Sequence, residues 1–148
     1  MVLSKEQIAK HGYKISAYLA SGQTFVTYTS SSGINQNATK DGVSYIISAL
    51  QRGIPVIVGV DYKPGAPSGN TDLTTDHFIV IVGAGSDNQG NYFTFFDNGT
   101  NNVAKGANPL NKLYYNDSTG LIKGQSSCTY SNGVLIPPYT VTQIRKSK

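Results

Sequence analysis

The chain of 148 residues has one cysteine, one methionine, no tryptophan and two histidines, and only 14% of it is charged. A lone cysteine, Cys128, cannot form an internal disulfide, so no disulfide framework shapes the fold and the redox compartment stays open. The two histidines, His11 and His77, and the cysteine lie far apart with no metal-ligand spacing, which argues against a zinc site. Neither G-x-G-x-x-G nor G-x-x-x-x-G-K occurs, so nucleotide binding finds no support and no cofactor is expected. A G-x-S-x-G elbow is missing too, and "TSSSG" reads as a plain polar loop, leaving a serine nucleophile without a motif. No apolar run approaches the roughly 20 residues of a membrane span, and "MVLSKEQIAKHGY" lacks a signal-peptide core, so neither a membrane partner nor an export signal is expected.

What is present is small, polar and aromatic. Sixteen glycines and ten tyrosines, with abundant Ser, Thr and Asn, favour strands joined by many turns. An apolar content of 39% suits one compact domain, residues 1–148. The net charge of +4 sits partly in the tail "IRKSK", and no basic stripe is interleaved with aromatics, so nucleic acid is not an expected partner.

Along the chain, Ser4 and Gln7 form a capping-box pattern and Gly12 a stop, predicting an opening helix of about two turns that reads as the end of a longer one. "TFVTYT" is a possible short strand. In "KDGVSYIISALQRG", Val43, Ile46, Ile47 and Leu50 have the spacing of one buried helical face, ended by Gly53 with Arg52 at the negative end of the dipole. "IPVIVGVDY" (54–62) and "HFIVIVGAG" (77–85) are apolar on both faces, as in central strands of a sheet covered from both sides. "SDNQGN" should turn the second of these into "NYFTFFDNG" (91–99) as a hairpin. "KLYYNDSTGLIKG" reads as another hairpin and "YTVTQIRK" as a closing strand. The connection "KPGAPSGNTDLTTDH" is long, and such loops often carry function.

The stretch "DHFIVIVGAG" opens a core strand with an acid and a histidine. With the hairpin turn centred near Asn88, His77 should face a residue between about 97 and 101, close enough for side chains to hydrogen-bond, and Asp97 is in that window. A base and its orienting group are held in this way for nucleophilic catalysis. The bland reading is a partly exposed histidine at a strand end and an Asp that opens a turn before Asn-Gly. Asp61, Asp76 and Asn98 are expected at the rim, with Asn98 the fallback orienter although it alternates to the opposite face. His11, beside its helix stop, suits the helix dipole.

The succession "ISALQRG", "IPVIVGVDY", "DHFIVIVGAG" and "GNYFTFFDNGT", over residues 40–100, resembles the second half of papain-like cysteine peptidases, in particular the bacterial branch with double-glycine bacteriocin-processing peptidases and cell-wall amidases. The resemblance implies an α+β fold with helices packed on a twisted, largely antiparallel sheet. It further implies His77 as general base and Asp97 as its orienter. The implied function is amide hydrolysis of a peptide or a peptidoglycan cross-link, in a secreted bacterial enzyme or an antagonistic effector toxin with an immunity or inhibitor partner. Such enzymes attack with a cysteine at the start of a long helix, where dipole and imidazolium favour the thiolate. No cysteine precedes His77 here. Three explanations stay open: a nucleophile on a missing upstream segment, a catalytically inactive binding module, or Cys128 in a permuted order, although "QSSCTYSNG" has no helix to lower its pKa.

Overall fold

The computed structural model describes residues 22–63, 68–70, 72–116 and 118–146. The opening helix expected from Ser4 to Gly12, with His11, lies outside them. The first long element is a helix, α1 (Gln36–Gln51), which begins earlier than its apolar spacing suggests because Asn35 caps it: Asn35 Oδ1 accepts the Ala38 amide at 3.0 Å. Gly53, with φ of 74°, ends it, and its amide closes on the Leu50 carbonyl. Val43, Ile46 and Ala49 are buried on its inner face, while Ile47, expected there, is exposed.

Among the described residues there are nine strands, the expected seven with shifted ends, the first of them divided, and a short one at Gly33–Ile34 that was not expected. "TFVTYT" divides into β1 (Thr24–Val26) and β2 (Tyr28–Thr29), and β2 pairs with β3 (Gly33–Ile34). Next come β4 (Val56–Asp61), β5 (His77–Asp87), β6 (Gly90–Phe96), β7 (Lys112–Asn116), β8 (Leu121–Gln125) and β9 (Tyr139–Arg145). Each of these pairs antiparallel with its neighbour in the order β9, β4, β5, β6, β7, β8, and β8 returns to β9 through Lys123 with Thr140 and Gly124 with Tyr139. The sheet therefore closes into a six-stranded barrel, and β1 adds to the far half of β9.

This corrects the expected α+β, papain-like sheet with helices packed on it. Among the described residues strand far outweighs helix, with one long helix and one helical turn, α2 (Val103–Gly106). The reason is physical: strands apolar on both faces were read as a sheet sandwiched by helices, but in a barrel the inner face is covered by the opposite strands of the same sheet. Val58, Val60, Ile79, Ile81, Phe93, Phe95, Leu113, Ile122, Val141 and Ile144 meet inside it. The helix joins this core with Val43, Ile46 and Ala49. It packs against β1 and against β5, β4 and β8 of the barrel.

The outer face of β4 and β5 buries a second cluster, Ile57, Phe78 and Val80. Part of its cover comes from β9, whose Arg145 guanidinium lies 5.1 Å from the Phe78 ring. The loop after β4 joins in on this face, where Thr75 Oγ1 lies 2.6 Å from Thr142 Oγ1 and Gln143 Nε2 donates to Asp72 Oδ2 at 3.1 Å. Between β7 and β8 the strands come so close that a Cβ on Gly124 would stand 1.7 Å from the Lys112 carbonyl oxygen.

Candidate functional site

His77 is the first residue of β5, paired with Val60 of β4. The β5–β6 ladder ends at Val80 and Phe96, so Asp97 has left it; its amide donates instead to the Gly106 carbonyl at 2.9 Å. That carbonyl sits on the turn α2, which Asn102 caps by accepting the Lys105 amide. The start of β5 and the end of β6 converge at one end of the barrel. His77 Nε2 and Asp97 Oδ1 are 2.8 Å apart, with the imidazole side chain 20% exposed and the carboxylate fully enclosed.

Asp97 is held by four donors. Oδ1 accepts from His77 Nε2 and from the Gly99 amide at 2.9 Å; Oδ2 accepts from Ser126 Oγ at 2.6 Å and Tyr139 Oη at 2.7 Å. Burial by itself would raise the carboxyl, but the hydrogen bonds from His77, Ser126, Tyr139 and the Gly99 amide outweigh it and hold Asp97 well below the usual carboxylate range. Burial pushes the Tyr139 phenol up, and the adjacent Asp97 charge adds to this, so Tyr139 stays protonated and donates. A carboxylate only accepts, so Nε2 of His77 carries hydrogen and Nδ1 keeps the basic lone pair. This is the reverse of the Ser-His-Asp triad, in which the carboxylate holds Nδ1.

The rim residues are placed differently. Asp76 Oδ2 accepts the Tyr62 and Lys63 amides at 3.1 and 3.0 Å, and Asp61 Oδ1 accepts the Lys63 amide at 3.0 Å. Burial, then a hydrogen bond with Asp76, raises the Asp61 carboxyl to about 6. These acids brace the start of the long loop next to His77 rather than touching the imidazole. Asn98 is half-buried, and the His77 bond goes to Asp97 instead.

Cys128 is fully buried. Its amide donates to Ser126 Oγ at 3.1 Å, and burial pushes its thiol up, with the Asp97 charge adding to the shift. That is the opposite of an activated nucleophile. No cluster of metal-ligating side chains occurs among the described residues, and no helix there is long and apolar enough to cross a membrane.

Sequence reasoning missed Ser126, Tyr139 and Gly99. Ser126 stands in "QSSCTYSNG", which has only loop composition. Tyr139 did carry a signal, because it opens the closing strand as His77 opens β5, but nothing in a single sequence shows which strand ends share one end of a barrel. No family model, no curated protein and no solved structure matches the chain.

Proposed function

We propose that the chain is the base-bearing part of a cysteine hydrolase that cleaves amide bonds in a peptide or a peptidoglycan cross-link. The observation that carries this reading is the 2.8 Å pair of a part-exposed His77 and a fully enclosed, four-fold hydrogen-bonded Asp97. Nδ1 of His77 takes the proton of a thiol and returns it to the leaving amine, while Asp97 fixes the ring and stabilises the imidazolium. The resemblance of residues 40–100 to papain-like peptidases supports the same assignment of roles, though not the fold.

Cys128 is the chain's only cysteine and is buried beside Asp97, so on this reading the nucleophile belongs to a segment or chain beyond these 148 residues. The same burial favours a second reading: a catalytically inactive module that binds a peptide, a glycan or an inhibitor protein at the His77 end of the barrel. In an effector toxin that end is where an immunity protein would sit.

The test is to express the protein with the coding sequence that precedes Met1 and incubate it with peptide mixtures and purified peptidoglycan, following new amines by mass spectrometry. Cleavage that iodoacetamide blocks and that His77→Ala abolishes, with circular dichroism unchanged, is the expected result. Cleavage that survives His77→Ala overturns the proposal. The absence of any cleavage, with a ligand bound at the same end, replaces it by the binding module.

A further inference from the structure

We propose that Ser126 and Tyr139 are positioning residues for His77, acting through Asp97: their two hydroxyls occupy Oδ2, leaving Oδ1 to the imidazole and the Gly99 amide and confining His77 to the tautomer with hydrogen on Nε2. The role rests on the reading of His77 as a general base; the geometry stands apart from it. A carboxylate offers about four acceptor sites, and here four donors fill them. The Ser126 hydrogen points at Asp97, because a carboxylate can only accept, while the Ser126 oxygen accepts the Cys128 amide. The Tyr139 ring is wedged between aromatic neighbours, 5.8 Å from Tyr62, 6.0 Å from Phe95 and 5.9 Å from the His77 imidazole.

Tyr139 lies on the seam that closes the barrel, paired with Gly124, and Ser126 comes directly after the end of β8 at Gln125. A group fixed on a closed sheet, or next to its end, holds a site more tightly than one far out on a loop. If either hydroxyl is removed, a buried carboxylate oxygen loses a partner. The carboxylate then turns to recover a donor, or binds a proton more readily. Either response loosens the Oδ1 contact that dictates the imidazole tautomer.

A merely structural role would lower the melting temperature and leave the imidazole alone. The experiment is nitrogen-15 NMR of the imidazole at a pH where His77 is neutral, with carbon-13 titration of the Asp97 carboxyl, on the 148-residue chain carrying Ser126→Ala, Ser126→Thr or Tyr139→Phe. In the unaltered chain the Nε2–H form should account for essentially all of the neutral ring. Ser126→Ala and Tyr139→Phe should bring in the Nδ1–H form and move the Asp97 midpoint up by on the order of one pH unit, as loss of one hydrogen bond to a charged group implies. Ser126→Thr should restore both readouts. An unchanged tautomer and an unchanged Asp97 midpoint in folded Ser126→Ala would overturn the proposal, and this variant decides if Tyr139→Phe does not fold. A shifted tautomer in these variants, together with no cleavage by the protein expressed with the coding sequence that precedes Met1, would uphold the positioning while refuting the hydrolase.

Discussion

Gly99 and His77 approach so closely that a methyl group on the glycine would lie 3.4 Å from the imidazole Nε2, and 3.1 Å from Asp97 Oδ1. The hydrogen bond between imidazole and carboxylate runs beneath this glycine, and any side chain there presses on it. Gly99→Ala should therefore displace the carboxylate by a few tenths of an ångström and slow turnover by about tenfold, since sub-ångström misplacement of a base is costly. Thermal unfolding should move little, because Gly99 itself is exposed. Full activity in this variant would mean that the pair is not the working base.

Asp97→Asn places an amide where four donors converge. One oxygen can still accept, but the NH2 group then faces donors with nothing to offer them. A loss of about 2–4 kcal/mol in urea unfolding is expected from the unsatisfied buried groups. On the proposed hydrolase reading, activity should fall by roughly 10⁴-fold, because the imidazole no longer has a carboxylate to hold its tautomer. If stability drops and activity does not, Asp97 is a structural group only.

Two carboxylates should give stability a peak against pH. Asp97 is depressed below its ordinary value, so its stabilising contribution is full above about pH 4 and is lost as pH falls. Asp61 is raised from 3.8 to about 6, so the folded state holds its proton more tightly, and that contribution is lost as pH rises through about 6. Urea midpoints measured from pH 3 to 8 should be highest near pH 4, decline between about 4 and 6 as Asp61 ionises in the folded state, and level off above that. The upper arm will be shallow, because Asp61 is partly exposed and solvent screens it. Asp61→Asn should flatten that arm alone; an unaltered profile in this variant would remove Asp61 as its cause.

Cys128 should behave as a core residue. Burial raises its thiol, so labelling by a disulfide reagent near neutral pH should be slow in the folded protein and fast in urea. Cys128→Ala leaves the Ser126 contact in place, since the backbone amide makes it, and on the proposed hydrolase reading should leave cleavage unchanged. Rapid labelling under native conditions would reopen the permuted assignment of the nucleophile.

The hairpin from "DHFIVIVGAG" to "NYFTFFDNG" was legible because two apolar runs flank a polar turn, and it places His77 and Asp97 at the same end. Its detail was not. A register shift between Ile81 and Gly83 and an early end at Phe96 put Asp97 beyond the ladder, where Gly106 rather than β5 takes its amide. The other half of the carboxylate's shell comes from residues 29 and 42 positions further on, a separation over which no local pattern carries information. Ile47 shows the same limit in the helix, where spacing fits it to the buried face but the packed structure leaves it exposed.

Local order is what the amino acids settled alone: which runs extend, where α1 stops, where the chain turns, and that a histidine and an acid flank one hairpin. These follow from backbone preference and from apolar periodicity, which act over a few residues. Closure was decided only in three dimensions. Whether β9 meets β8 as well as β4 depends on the accumulated twist and stagger of six strands, a property of the whole sheet. The same closure delivers Ser126 and Tyr139 to Asp97, and so turns an ordinary histidine at a strand end into one with a prescribed tautomer.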